Sequence, residues 1–236
     1  MPVPLRTLGL QLRSTLWDMT PRDHRQSDRE FRRRQIVAAV VVVIGALVLA
    51  YSLSLDSGSN WFYVATLVLA AVWAVGAFAS GPLHLGRVGI DETAAARPIV
   101  QPILVGLGLS AVFVAGAFIV KLIPPLADQV GNVLAYANDG NATLVLLVTV
   151  INGIAEEMFF RGALYAAIRK NQVPITAVAY AIATAATGNI MLSFAALLLG
   201  IVVGLERRAS GGILAPILTH LTWSVTMLYV LPLILT

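Results

Sequence analysis

Two adjacent carboxylates and an arginine interrupt an apolar part of the sequence, and they are its strongest candidates for chemistry. Glu156, Glu157 and Arg161 lie between the apolar runs 142–151 and 163–168. An ionised side chain near the centre of a bilayer costs on the order of 3 kcal/mol on insertion scales. Three such groups in one membrane helix therefore need a compensating arrangement, and they indicate a functional site.

The spacing of these residues suggests how their charges are divided. Glu157 and Arg161 are four residues apart, so they share one helix face and can form an ion pair. Glu156 is rotated by about 100° from Glu157 and has no partner in its own helix. A carboxylate removed from water is suited to act as a general base or acid. An ion pair that only fixes helix packing is the alternative interpretation.

The composition is that of an integral membrane protein with one principal domain. Of the 236 residues, 58% are hydrophobic and 12% are charged, whereas soluble domains have roughly 25% charged residues. The net charge of +4 does not indicate a nucleic-acid partner, because the basic residues cluster at one end and in a few loops. The sequence contains no cysteine, which excludes disulfides, thiolate metal sites and a cysteine nucleophile.

The hydropathy pattern predicts an all-α membrane protein with about seven transmembrane helices and a short interfacial helix at 126–137. The predicted spans are 36–55, 61–80, 99–123, 142–168, 174–187, 190–205 and 213–235. We divide the chain into a basic N-terminal segment (1–35), two helices with a loop (36–98) and a membrane core that carries the candidate residues (99–236).

Lysine and arginine sort to one side of the predicted spans. All but two of the 16 lie in the N-terminal segment or in the loops 81–98, 169–173 and 206–212, and the opposite loops hold none. The two exceptions are Lys121, near a span end, and Arg161. The positive-inside rule then predicts a multi-pass protein of the cell membrane whose N-terminus is cytoplasmic and whose C-terminus is outside.

A histidine in the last span is predicted to lie at the depth of the carboxylates. His220 is the only histidine within the predicted spans, and Ser224 follows it on the same helix face. Glu156 precedes Arg169 by thirteen residues, and His220 follows Arg208 by twelve. These separations correspond to depths of about 20 and 18 Å. Glu156 and His220 are therefore predicted in one layer, although a lone membrane histidine can also serve only as a hydrogen bond between helices.

Two motifs, in this order and at this separation, resemble a known family. The family is that of the CPBP intramembrane proteases, also called the Abi family, which includes the CAAX prenyl endopeptidases. The matching residues are Glu156-Glu157-x-x-x-Arg161, with Phe160 and Gly162, and His220-x-x-x-Ser224. Residues 199–204 and 211–218 also look like the family's approach to its last histidine. The resemblance covers about 100–236. It implies a bundle of membrane helices that acts as an endopeptidase.

The resemblance also implies a role for each residue. Glu156 would activate the attacking water as a general base, and Glu157 would pair with Arg161 and orient Glu156. His220 and Ser224 would stabilise the developing oxyanion. The implied partners are the membrane and a membrane-associated protein or peptide substrate. The small, cysteine-free chain favours a bacterial origin, and bacteria generally lack prenylated CAAX proteins, so prenylation is not carried over.

One departure from the family concerns its middle motif, Phe-x-x-x-His, which has no histidine here. Spacing points to the segment 184–189, in which Asn189 is the best-placed replacement. An asparagine can position a water molecule but cannot accept its proton. A metal ion, if any, would be bound by Glu156 and His220, and the residues present make a poor zinc shell. The cofactor is therefore left open.

Two further function classes are compatible with the sequence. The missing histidine favours a catalytically weak or inactive family member that acts as a membrane immunity or scaffold protein. A proton-coupled carrier could also use the glutamate pair. The sequence shows neither an inverted repeat nor paired broken helices, which weighs against a carrier.

Overall fold

The computed structural model describes residues 13–19, 26–89 and 95–235, and the predictions made for 1–12, 20–25, 90–94 and Thr236 lie outside these ranges. The described part is nearly all helical. Its helices are α1 (Asp28–Ser52), α2 (Asn60–Ser80), α3 (Val100–Val120), α4 (Pro124–Asn138), α5 (Ala142–Glu157, continued by a π-helix at Met158–Leu164), α6 (Gln172–Ala185), α7 (Ile190–Ser210), α8 (Leu214–Val230) and α9 (Pro232–Leu235). The short strands β1 (Val88–Gly89) and β2 (Ala95–Ala96) pair antiparallel in the loop between α2 and α3.

Six helices of the described part are long and apolar enough to cross a membrane, and a count of seven is not confirmed. The six are α1, α2, α3, α5 with its π-helical continuation, α7, and α8 with α9. The remaining predicted span is α6, which has only 14 residues. At 1.5 Å per residue it is about 21 Å long, whereas the hydrocarbon core is about 30 Å thick. The all-α membrane architecture itself is confirmed.

The helices form a bundle with α5 at its centre. α5 packs against α2 and α8, while α1 packs on α2, α3 on α8, and α6 on α7. We call the end of the bundle that carries the basic loops the basic end. It holds the starts of α1, α3, α6 and α8. The opposite end, with the turn after α1 and the helix α4, is called the far end.

Aromatic side chains fix the central helix against its neighbours. The Trp73 ring of α2 lies 4.8 Å from Phe159 and 5.1 Å from Phe160, measured between centroids. Tyr180 of α6 lies 4.7 Å from the Phe160 ring. Burial of one large apolar side chain stabilises a fold by about 1.5–3 kcal/mol. This cluster therefore holds the part of α5 that carries the charged residues.

The loop after α2 fixes the first turn of α8 at the basic end. The N–H group of Ile213 donates to the carbonyl oxygen of His84 at 2.9 Å. Gly86 has a φ of +81°, and a Cβ atom on Gly212 would lie 2.0 Å from the Gly86 nitrogen. Only glycine permits such a close approach of the two main chains. The start of the helix that carries the candidate histidine is thereby set.

Candidate active site

The candidate residues lie where the central helix changes its winding. The α-helical part of α5 ends with Glu156 and Glu157, and Arg161 lies in the π-helical continuation, Met158–Leu164. π-Helical turns are rare, and they occur frequently at functional sites. The three charged groups therefore occupy a local irregularity of an otherwise regular membrane helix.

Glu157 is held by two partners and is completely buried. Its Oε1 atom lies 3.1 Å from Nη1 of Arg161, as the spacing of four residues predicts, and 2.8 Å from Nδ1 of His220. Both Glu157 and Arg161 have no exposed surface. The Oε2 atom of Glu157 has no hydrogen-bond partner among the described residues. Glu157 thus links α5 to α8 and orients the imidazole ring.

The charge of Arg161 is enclosed by aromatic rings as well as by Glu157. Its guanidinium carbon lies 4.9 Å from the centre of the Tyr180 ring and 5.8 Å from that of Phe160. Gly200 of α7 leaves room for it, since a Cβ atom there would lie 3.2 Å from Nη2 of Arg161. Cation–π contacts of desolvated groups contribute up to about 2 kcal/mol. Ring faces and one carboxylate together compensate for burial of this arginine.

Glu156 faces the other way and lines a cavity. One of its carboxylate oxygens accepts a hydrogen bond from the Tyr180 hydroxyl. The other oxygen has no partner among the described residues, and Glu156 lines the cavity together with His220 and Ser224. Glu156 is therefore the carboxylate of the pair that a substrate or a water molecule can reach.

His220 meets the glutamate pair, but its hydrogen bond goes to Glu157 rather than to Glu156. Its Nε2 atom has no hydrogen-bond partner in the described part of the chain and borders the cavity near Gly153, where a Cβ atom would lie 3.8 Å from it. The absence of a side chain at Gly153 leaves this side of the imidazole accessible. The second ring nitrogen is therefore free to bind a ligand.

The hydroxyl group of Ser224 is also free within the described residues. Two threonines in the same helix bond back to main-chain carbonyls four residues earlier: Thr222 to Leu218 and Thr226 to Thr222, both at 2.7 Å. No such bond forms between Ser224 and the carbonyl of His220. Because Ser224 lines the cavity one turn after His220, its hydroxyl can donate to a bound group.

The cavity has a volume of about 510 Å³ and an almost wholly apolar wall. Helices α1 to α5, α7 and α8 contribute to it, and α6 contributes Tyr180. Ligand sites of proteins commonly measure 300–1,000 Å³ and combine apolar walls with a few placed polar groups. The polar groups of the candidate site lie together at one place in this wall.

Asn189 also borders the cavity, but its amide group is bonded at both ends. Its Oδ1 atom accepts the N–H of Leu192 at 2.9 Å and caps α7, and its Nδ2 atom donates to the carbonyl of Gln129 at 2.7 Å. The carboxamide of Gln129 in turn accepts from Ile190 N–H at 2.7 Å. Asn189 therefore closes the end of the short α6–α7 hairpin against α4. A water-orienting role for it stays a prediction.

Tyr180 is the site residue that the sequence did not single out. It lies in α6, is nine-tenths buried and donates to Glu156. One signal was present, because Tyr180 and Thr184 have the aromatic residue and the spacing of Phe-x-x-x-His. Thr184 is also the first residue of the segment in which a replacement for the histidine was expected. Tyr180, at the aromatic position of the motif, contacts Glu156. Asn189, at the end of that segment, bonds Gln129 and Leu192 instead.

Glu206 and Arg207 correct another expectation. The sequence places them in a loop, 206–212, but the structure continues α7 into this segment and leaves them 0% and 6% exposed. Glu206 accepts a hydrogen bond from Thr219 at 2.8 Å, and Nε of Arg207 donates to the carbonyl of Arg161 at 2.6 Å. Hydropathy cannot distinguish an exposed charge from one with buried partners. Here the partners come from α8 and from the π-helix.

A metal ion does not fit the donor set of this site. No group of three histidine, aspartate or glutamate side chains with metal-binding geometry occurs among the described residues. Glu157 already occupies Nδ1 of His220, and Tyr180 occupies one oxygen of Glu156. Of the histidine and carboxylate groups that line the cavity in the described residues, one oxygen of Glu156 and Nε2 of His220 remain as ligands, whereas catalytic zinc sites use three protein ligands.

The comparison with protein families gives one match, which lies over the site. Residues 138–226 match the family described as type II CAAX prenyl endopeptidase Rce1-like. Searches of curated proteins and of solved structures found no match. The matched segment contains the charged and polar residues of the site, namely Glu156, Glu157, Arg161, Tyr180, Asn189, His220 and Ser224. It confirms the resemblance to the CPBP/CAAX proteases and, at the level of the family, supports a membrane-embedded hydrolase of the CAAX protease type.

Proposed function

From the match of residues 138–226 to the CAAX endopeptidase family, we propose that the protein is an intramembrane endopeptidase that hydrolyses a peptide bond with a water activated by Glu156. Its substrate is a membrane-associated protein or peptide. The observation that carries the proposal is the convergence of three available groups on one cavity: the Glu156 carboxylate, Nε2 of His220 and the Ser224 hydroxyl.

In the proposed reaction, Glu156 accepts a proton from the water as the oxygen attacks the substrate carbonyl carbon. The carbonyl oxygen becomes an oxyanion, which the Ser224 hydroxyl and His220 stabilise. Glu156 then returns the proton to the leaving amine as the C–N bond breaks. General bases of this kind typically contribute 10²- to 10⁴-fold to the rate.

The contact between His220 and Glu157 sets a condition on this mechanism. If Nδ1 donates to Glu157 at 2.8 Å, Nε2 carries a hydrogen only in the doubly protonated ring. Binding of an oxyanion by His220 therefore uses the imidazolium form. Glu157 contacts both Nδ1 of His220 and Nη1 of Arg161, so the ion pair and the imidazole belong to one arrangement.

In the proposed site, Tyr180 orients Glu156, which is the positioning part of the role that the absent histidine would have. Its hydroxyl donates to Glu156, which fixes the orientation of the carboxylate and leaves the remaining oxygen for water. A phenol does not replace the proton-accepting capacity of a histidine at neutral pH. Proton transfer is therefore assigned to Glu156 alone, and no step is routed through a metal ion or through Asn189.

A non-catalytic role is the second candidate function, and the missing histidine supports it. A family member without hydrolytic activity would use the same cavity to hold a membrane partner as an immunity or scaffold protein. The two candidates differ in their dependence on Glu156, because binding by an apolar cavity does not require a carboxylate that exchanges protons.

The test compares peptides released from membranes of cells that express the wild-type protein or Glu156→Gln at equal levels. Asp128→Asn is the matched control, because this exposed acid on α4 lies outside the cavity lining. New peptide termini that are present in the wild type and in the control and are absent with Glu156→Gln would support the endopeptidase. Identical peptides in all three cultures, with all three proteins folded, would overturn it in favour of the binding role.

The same proposal includes the orientation of the protein in the cell membrane. The basic end holds the exposed residues Arg169 and Lys170. In the described part of the chain, Lys121 is the only basic residue at the far end. The positive-inside rule places the basic end in the cytoplasm. The far end then faces the outside.

A further inference from the structure

The cavity lies entirely on one side of the glutamate pair. The residues of α5 that line it run from Val145 to Glu156, which is the half of the helix nearer the far end. On α8 the lining begins with His220 and continues toward the C-terminus. The cavity also extends to the far-end residues Leu53 and Leu235. Among the described residues, none beyond the glutamate layer toward the basic end lines it.

A separate cavity of about 420 Å³ at the basic end includes neither glutamate of the pair, and packing and hydrogen bonds close the bundle between the two cavities. Phe159 and Phe160, three and four residues after Glu156, have no exposed surface. The Thr219 hydroxyl bridges the carbonyl of Pro102 in α3, at 2.9 Å, and Glu206 in α7, at 2.8 Å. A substrate that came from the basic end would have to displace these buried contacts.

Two cavity-lining residues of the described chain have a buried polar atom without a partner, Trp223 at Nε1 and Asn152 at Oδ1. Asn152, 8% exposed, lies one helical turn before Glu156 and lines the cavity. Its Nδ2 atom donates to the carbonyls of Thr66 at 3.1 Å and Val148 at 2.9 Å. Both of these partners are acceptors, so the assignment of nitrogen and oxygen in the amide is fixed. Its Oδ1 atom has no partner among the described residues.

An unpartnered buried acceptor is costly unless a ligand satisfies it, commonly by about 1–3 kcal/mol. A hydrocarbon chain has no donor for Oδ1 of Asn152, whereas an extended polypeptide carries one N–H group per residue. In a membrane, the main-chain groups of an extended segment need such partners. The acceptor therefore favours a polypeptide in this cavity over a lipid chain.

The wall of the cavity is also exposed sideways. Val112 of α3 and Phe194 of α7 both line it, and their side chains are 62% and 49% exposed. α3 and α7 do not pack extensively against each other in the described structure. Because both residues lie within membrane-crossing helices, this side of the cavity faces lipid. A segment that is already in the membrane can enter here.

We propose that the substrate is an extended, membrane-inserted polypeptide segment that reaches Glu156 only through the half of the bundle away from the basic end, and that Oδ1 of Asn152 accepts one of its main-chain N–H groups. The identity of the reaction in this inference rests on the proposed function, whereas the route to Glu156 does not. With the basic end in the cytoplasm, the scissile bond lies in the outer half of the membrane.

The route can be tested without any substrate, because the chain has no cysteine. Single-cysteine variants are labelled with a charged, membrane-impermeant thiol reagent in right-side-out and in inverted vesicles. Thr149→Cys reports on the cavity, and Ala209→Cys reports on the fully buried half near the basic end. Lys170→Cys and Asp139→Cys mark the two exposed ends of the bundle.

We expect Thr149→Cys to react in the same vesicles as Asp139→Cys and Ala209→Cys to react in neither. Reaction of Thr149→Cys from the Lys170 side would overturn the route, whereas no reaction from either side would support entry through the lipid-facing side alone. The result does not depend on catalysis, so it stands apart from the comparison of the wild type with Glu156→Gln.

The role of Asn152 is tested on the peptides whose release depends on Glu156. Asn152→Leu should lower their release about tenfold at limiting substrate, the effect of one lost hydrogen bond. Higher substrate expression should restore most of the release. Asn132→Leu, the same change at an exposed residue of α4 outside the cavity lining, is the control and should change little. Unchanged release from Asn152→Leu, or a loss that more substrate does not restore, would contradict binding by Oδ1.

Discussion

Directly on the basic side of the glutamate pair, side chains fill the bundle, whereas on the far side they surround a cavity of about 510 Å³. A separate cavity of about 420 Å³ lies at the basic end and does not include the pair. The filled half holds Glu157, Arg161 and Glu206 with no exposed surface. The open half presents Glu156, one edge of His220 and the Ser224 hydroxyl to the cavity. Neighbouring residues of one helix, Glu156 and Glu157, thus belong to different environments.

The difference shows how a membrane protein can tolerate charge and use it within one turn of helix. Buried charges are stable where partners and packing are complete, as around Arg161. Chemistry requires the opposite, a polar group whose partners are incomplete and which a substrate can reach. The boundary between the two halves runs through the glutamate pair, and substitutions on either side of it should have different consequences.

The largest effect is expected from Arg161→Met. This change leaves Glu157 buried without its ion-pair partner, which should cost about 3–5 kcal/mol and prevent normal accumulation in the membrane. Arg169→Met is the matched control, because the ion pair of Arg169 with Asp28 has side chains that are 68% and 94% exposed. The control should cost less than about 1 kcal/mol. Thermal unfolding in detergent measures the stability of both variants. Equal losses would contradict the difference between the buried and the exposed ion pair.

Apolar substitutions should also distinguish the two halves. Phe159→Ala removes a side chain with no exposed surface from the filled half and should cost about 3–5 kcal/mol. Val133→Ala removes methyl groups that already border the cavity and should cost about 1 kcal/mol or less. The free energies of unfolding in a denaturant titration would show this difference. If Val133→Ala were as damaging, the far half would be as tightly packed as the other.

Ser224→Ala should reduce activity without a comparable loss of stability. Removal of one oxyanion donor typically lowers the rate by about 10²- to 10³-fold. Thr222→Val serves as the control, because the Thr222 hydroxyl is already bonded to Leu218 at 2.7 Å. The rate of release of a Glu156-dependent peptide measures the effect. A similar rate for Ser224→Ala and Thr222→Val would exclude Ser224 from the reaction.

Tyr180→Phe should produce the smallest effect of the series on activity. It removes one hydrogen bond to a carboxylate, worth about 1.5–3 kcal/mol, which corresponds to roughly ten- to a hundredfold in rate. The aromatic ring and its contact with Arg161 remain. Tyr229→Phe, at a residue that is 53% exposed, should leave the rate unchanged. An unaffected rate in Tyr180→Phe would show that Glu156 needs no fixed orientation.

Most of the helices could be predicted from hydropathy, because a membrane span needs a long apolar run that few other structures require. The predicted spans at 61–80 and 99–123 correspond closely to α2 and α3. The predicted span at 174–187 has the same 14 residues as α6, shifted by two positions. The contact of Asn189 with Gln129 of α4, which fixes the turn after α6, could not be predicted from hydropathy.

The ion pair of the site followed from spacing within one helix, whereas contacts between helices did not. Glu157 and Arg161 are fixed by the helical period, and equal depth brought His220 to the same layer. Which glutamate bonds the imidazole depends on helix rotation, which the sequence does not specify. The contact between Tyr180 and Glu156 and the burial of Glu206 by Thr219 likewise depend on how the helices pack.

The most direct test of the account is a comparison of Glu156→Gln with Glu157→Gln, using both peptide release and thermal unfolding of the purified proteins. Glu156→Gln should lower release by at least about 10²-fold and keep an unfolding midpoint near that of the wild type. Glu157→Gln should lower the midpoint markedly, because Arg161 loses its buried partner. Full release from Glu156→Gln, or a stable Glu157→Gln protein beside an unstable Glu156→Gln protein, would contradict the assignment of the two carboxylates.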